Sequence, residues 1–143
     1  MNPMADGGGD FPPFIEPTVE HRPRVLVVED DKQAADLTRA VLESSGYSVT
    51  CCADGLGAIQ ELERGDFDCI VLDLRMTTFD GEQLLDLMAF DRPSMRQNVV
   101  VVSGYRDRAE KLRGSVGEVL FKPVRRDVLA NAVAARIAAA PLE

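Results

Sequence analysis

Four runs of apolar, mostly β-branched residues recur along the chain: Val25–Val28, Ile70–Leu72, Val99–Val102 and Val119–Phe121. A strand that is apolar at every position has no side to offer to water. It must be covered on both faces, which points to a parallel sheet between two layers of helices. Amphipathic stretches separate the runs, so the chain reads as βα units in tandem and as a doubly wound α/β domain. Each run closes on a polar group: Glu29-Asp30-Asp31, Asp73, Ser103 and Lys122-Pro123. In open α/β sheets, sites form just outside the carboxyl ends of the strands. Residues far apart in sequence are therefore expected to meet at one edge as several carboxylates, one hydroxyl and one ammonium. Such a cluster suits a divalent cation and a phosphoryl group.

Strands are expected at about 24–29, 47–52, 67–73, 98–103 and 118–121. Helices are expected at about 32–45, 55–64, 81–90, 106–113 and 125–139. Leu37, Leu56 and Val128 are counted among the apolar positions of their helices, with Gly46 as the C′ residue of the first helix and Gly65 ending the second. Residues 1–22, with Gly7-Gly8-Gly9, Pro12-Pro13 and Pro17, read as a disordered tail. Phe11, Phe14 and Ile15 are its apolar exceptions, and the only histidine, His21, has no apolar helix there to present it as a base. The expected domain is 23–141, with no output domain.

A net charge of −8 argues against a large nucleic-acid footprint. No apolar run is long enough to span a membrane, and no secretory signal is visible. Three cysteines, with no Cys-x-x-Cys spacing, read as reduced thiols, so the expected location is cytoplasmic.

Taken alone, each polar strand end has an ordinary explanation. Asp31 suits a helix N-cap, Ser103-Gly104 a serine turn, and Lys122 an ion pair with Asp73. Asp73 shifts the balance, because the residues around it, Cys69–Leu72 and Leu74, are apolar. Clustered carboxylates raise one another's pKa unless a cation neutralises them. Mg²⁺, a hard ion that prefers oxygen, is the economical partner.

With VLVVEDD at 25–31, VLDLRM at 71–76, DG at 80–81, VVVVSG at 99–104 and LFKPV at 120–124, the sequence resembles the receiver domain of two-component response regulators over about residues 24–140. The resemblance implies a flavodoxin-like sheet of order 2-1-3-4-5 and Asp73 as phosphoacceptor. It implies a phospho-histidine donor on a sensor kinase or phosphotransfer protein, and a downstream protein target whose binding is switched. Asp30, Asp73 and the backbone carbonyl of Arg75 would hold Mg²⁺, with Glu29 acting through metal-bound water. Ser103 would bond the new phosphoryl group and Lys122 would pair with one of its oxygens. A cis peptide is expected between Lys122 and Pro123.

Three departures from the family pattern stand out. The aromatic switch position, three before the lysine, is Val119, and Phe121 is expected on the opposite side of the strand. Thr77 replaces the proline common in the loop after the acceptor. The stretch from Ser103 to Lys122 is about one helical turn short, truncating the fourth helix. Since valine is stiff at χ1, the response is expected to run through the 103–106 loop, with Tyr105 as the moving side chain.

Two other readings compete with this non-enzymatic signalling module. One is a pseudo-receiver that binds partners without phosphate. The other is a Mg²⁺-dependent phosphohydrolase of the haloacid-dehalogenase type. That family expects a second Asp two residues after the nucleophile, where this chain has Arg75.

Overall fold

Backbone pairing joins all five strands into one parallel sheet in the computed structural model, which describes residues 22–74, 81–91 and 93–139. The strands are β1 (Arg24–Val28), β2 (Ser48–Cys52), β3 (Cys69–Asp73), β4 (Val99–Ser103) and β5 (Glu118–Phe121). The helices are α1 (Lys32–Ser44), α2 (Gly55–Arg64), α3 (Gly81–Asp91), α4 (Arg106–Glu110) and α5 (Arg126–Ala139). The sheet order is β2-β1-β3-β4-β5, so the architecture is the doubly wound one that the resemblance implies.

Alternation splits each central strand between two cores. Leu26, Val28, Ile70, Leu72, Val99, Val101 and Val119 pack with Ala58 and Leu62 of α2, Leu84, Leu85 and Met88 of α3 and Ala109 of α4. Val25, Val27, Cys69, Val71 and Val100 pack with Leu42 of α1 and Leu129 and Val133 of α5. This is why the strands carry no polar alternation: both faces lie under helices.

The local signals act as their chemistry requires. Asp31 caps α1 by accepting the Gln33 N–H at 3.1 Å, and Asp54 caps α2 by accepting the Gly57 N–H at 2.8 Å. Gly46 follows the C-cap of α1 at φ 96°, a left-handed conformation that favours glycine. The Lys122–Pro123 peptide is cis.

Several expectations need correction. Phe121 does not lie opposite Val119. The two are two residues apart in β5, so strand alternation puts them on the same face, and both pack on the core beside α4. Leu37, Leu56 and Val128 are exposed rather than buried, because the inward stripe of α1 passes through Ala35 and Leu42 and that of α2 through Ala58 and Leu62. Helix α4 stops at Glu110, three residues earlier than expected, and a short parallel bridge between Arg113 and Val116 follows. A 3-10 helix at Pro93–Asn98 leads into β4, where the sequence offered no periodic signal. The tail, His21, Arg75 and Thr77 lie outside the described residues.

Gly117 shows how tightly the entry to β5 is built. Its N–H donates to the carbonyls of Arg96 at 3.1 Å and Val99 at 3.0 Å. A Cβ there would lie 2.2 Å from the Gln97 carbonyl oxygen and 2.4 Å from Cδ of Arg136. Since the backbone oxygen cannot yield cheaply, Gly117→Ala is expected to lower stability to urea by about 2–4 kcal/mol. Gly104, with nothing within 4 Å of its added Cβ, serves as the control. There the same substitution should cost about 0.5 kcal/mol or less. Equal losses at the two glycines would show that the close approach at Gly117 is unimportant.

Candidate functional site at the carboxyl edge of the sheet

Strand neighbourhood decides what meets at the sheet edge. β1 and β3 pair in register, with Val28 opposite Leu72, so the residues that follow them, Glu29 and Asp73, leave the sheet side by side. β4 flanks β3 on the other side, and β5 flanks β4 with Phe121 opposite Ser103. The Lys122 N–H donates to the Ser103 carbonyl at 2.9 Å, which fixes the lysine at the edge. Asp73 is 7% exposed and Ser103 is fully buried.

Carboxylate oxygens of Glu29, Asp30 and Asp73 all lie within 4.8 Å of one another. Nζ of Lys122 reaches both Glu29, at 3.1 Å, and Asp73, at 3.5 Å. Glu29 also accepts the Asp31 N–H at 3.2 Å, which orients its carboxylate. Among the described residues, three carboxylates face one ammonium at this edge. These are hard oxygen donors at a partly open edge, the chemistry that suits a small divalent cation retaining some of its waters.

Burial and the crowding of these charges both act on the proton affinities at the edge. Burial raises the Glu29 carboxyl above its ordinary 4.5, and the Asp73 charge adds to the rise against the Asp31 N–H and Lys122. Burial pulls the Lys122 ammonium down, but its hydrogen bonds to Glu29 and Asp73 and their charges outweigh that, and its pKa is raised above 10.5. A carboxyl with a raised folded-state pKa favours the folded state most at pH below 4.5. That contribution is lost as pH rises through the folded value, so charged Glu29 is a cost at neutral pH. Glu29→Gln should therefore raise the melting temperature at pH 7 in metal-free buffer by about 2–4 °C. The gain should shrink as pH falls and the native carboxyl takes up its proton. A lower melting temperature at pH 7 would mean that the bond to Lys122 dominates instead.

The sequence-predicted residues mostly converge. Glu29, Asp30, Asp73 and Lys122 form the cluster, with Ser103 tied to Lys122 through the backbone. Oγ of Ser103 accepts the Tyr105 N–H at 3.0 Å, and the Tyr105 side chain is 43% exposed. Val119 is buried in the core. Arg75 and Asp80 lie outside the described residues, but Gly81 beyond them packs closely on the site. Its N–H donates to the Leu74 carbonyl at 3.0 Å, and a Cβ there would meet the Asp73 carbonyl oxygen at 2.9 Å.

One feature was not foreseen. A cavity of about 600 Å³ runs beside the cluster between α1 and α5, lined by Val27, Leu37, Val41, Val71 and Leu129 together with Glu29, Asp73 and Lys122. Its signal in the sequence is the set Ala34, Leu37, Thr38 and Val41, whose helical spacing forms a second stripe on α1 beside the inward one. The three cysteines are free, and burial pushes the thiols of Cys52 and Cys69 up to about 12, which keeps them unreactive. Among the described residues, no helix is long and apolar enough to cross a membrane.

Comparison with known proteins agrees with this geometry. The chain is 31% identical over 107 residues to the transcriptional regulatory protein TcrA of Mycobacterium tuberculosis, covering 74% of this chain and 42% of TcrA. It is 28% identical over 120 residues to the CAI-1 autoinducer sensor kinase/phosphatase CqsS of Vibrio cholerae, covering 80% of this chain and 17% of CqsS. The chain thus spans less than half the length of either relative. The crystal structure of the signal receiver domain of a Luxo repressor protein from Vibrio parahaemolyticus superposes with a TM-score of 0.74 at 31% identity, covering 82% of this chain and 91% of that one. Residues 25–134 match the response regulator receiver domain, and with the sheet order and the acidic edge in place the chain belongs to that family.

Proposed function

We propose that the chain is a phosphoacceptor signalling module. Asp73 takes a phosphoryl group from a phospho-histidine of a sensor kinase or phosphotransfer protein, and the phosphorylated form changes its binding to a downstream protein. The observation that carries this reading is the buried carboxylate Asp73 at the end of β3, flanked by Lys122 and by two further carboxylates.

In the reaction, an Oδ atom of Asp73 attacks phosphorus in line with the P–N bond. The new O–P bond forms as the P–N bond breaks. The departing imidazole nitrogen keeps the electron pair, and the proton on the other ring nitrogen makes the departing imidazole neutral. Lys122 offsets charge on the phosphoryl oxygens as a point charge. The Ser103 hydroxyl donates to one of those oxygens. Glu29, Asp30 and Asp73 would hold Mg²⁺, which when bound supplies charge neutralisation for the transferring group. The groove between α1 and α5 opens an apolar surface beside Asp73, suited to the helical surface of a donor.

The test is incubation with acetyl phosphate and Mg²⁺, followed by mass spectrometry. An acid-stable, base-labile adduct on Asp73 is the expected result. Turnover of phosphate esters without an adduct would favour a hydrolase, and neither outcome would favour a phosphate-independent binding module.

A further inference from the structure

We propose that Phe121 and Arg106 form the aromatic readout of this domain, in place of a switch side chain at position 119. The proposal rests on the phosphoacceptor reading of Asp73 and adds the route by which the site reaches the surface. Val119 is 4% exposed and stiff at χ1, so it has no second position to occupy. Phe121 lies two residues further along the same face of β5 and is half-buried against the core. The Arg106 guanidinium sits 4.3 Å from its ring centroid and that of Arg113 5.8 Å, so the ring is flanked by two cations.

The path from the site to this stack is short and continuous. Ser103 is the register partner of Phe121 across β4 and β5. The Ser103 hydroxyl accepts the N–H of Tyr105, the residue that caps α4, and Arg106 is the first residue of that helix. Helix α4 has five residues and buries only Ala109, and Arg108 pairs it to Glu82 of α3 at 2.6 Å, so movement is confined to the turn before that tie, Tyr105 and Arg106. Arg113 differs, because it is held in an ion pair with Glu110 at 3.0 Å. When the Ser103 hydroxyl turns toward a phosphoryl group on Asp73, the Tyr105 N–H follows it. The start of α4 then moves, and Arg106 leaves the ring. The stack thus stabilises the unphosphorylated arrangement.

The direction of the effect is testable. Arg106→Gln removes the cation that favours the resting arrangement. It should tighten the apparent affinity for beryllofluoride in the presence of Mg²⁺ by about two- to fivefold, the range a single exposed cation–π contact allows. Its acetyl phosphate labelling at saturating donor should match that of the native protein. The chain contains no tryptophan, so Phe121→Trp provides a single tryptophan, excited beyond the tyrosine band, whose emission should change on adding beryllofluoride and saturate with it. In the Phe121→Trp, Arg106→Gln double variant, the emission should start near the activated value. If the tryptophan variant does not fold, 4-fluorophenylalanine in the native sequence reports the same ring by fluorine NMR, assigned with Phe121→Leu. An Asp73 adduct without any change at Phe121 overturns this proposal, as does an Arg106→Gln affinity equal to or weaker than native. Absence of the adduct in the native protein overturns the phosphoacceptor reading itself.

Discussion

Asp73→Asn is expected to lower labelling by acetyl phosphate by about three orders of magnitude or more, because it removes the nucleophilic oxygen itself. The variant should remain folded. Asparagine matches aspartate in volume, and Asp73 ends β3 beside Glu29 and Asp30, so losing its charge relieves repulsion. The melting temperature should therefore be equal to or above that of the native protein. Mass spectrometry of intact protein and thermal unfolding by circular dichroism check both parts. Undiminished labelling would place the acceptor elsewhere.

The second large effect is expected at Asp30. This side chain is exposed, so Asp30→Ala should leave the fold unchanged. Together with Glu29 and Asp73 it completes the set of oxygens that could hold the cation. Mg²⁺ is expected to raise the melting temperature of the native protein, and removing Asp30 should abolish that rise. The substitution should also slow labelling by about 10²–10³-fold, the range associated with losing one preorganised electrostatic group at a reacting centre. Native labelling with native metal dependence in this variant would remove Asp30 from the site. Retained Mg²⁺ stabilisation with slow labelling would separate metal binding from phosphoryl transfer.

Much of the architecture was legible in the chain because it rests on local chemistry. The runs Val25–Val28 and Val99–Val102 are apolar at every position, and only a strand covered on both faces accommodates that. Asp31, Asp54 and Gly46 mark helix ends through bonds or backbone angles within a few residues. The acids, Ser103 and Lys122 each close or directly follow a strand, so their common edge could be inferred from the general geometry of α/β sheets. The resemblance to receiver domains then assigned the strand order and the roles.

Local chemistry therefore set the elements and the polar residues at their ends. The tertiary structure decided which groups touch. Pairing of β1 with β3 brings Glu29 beside Asp73, and only this packing makes Lys122 shared between two carboxylates. Leu37 reads as core from its spacing, yet α1 turns Ala35 and Leu42 inward and leaves Leu37 to line the groove by α5. Gly117 carries no local mark of its importance, because its constraint is the carbonyl of Gln97 and the side chain of Arg136, both distant in sequence. Arg106 over Phe121 is of the same kind. Helical and strand periods report which way a side chain leaves its own element, whereas contact between elements depends on their mutual placement, which no local period encodes.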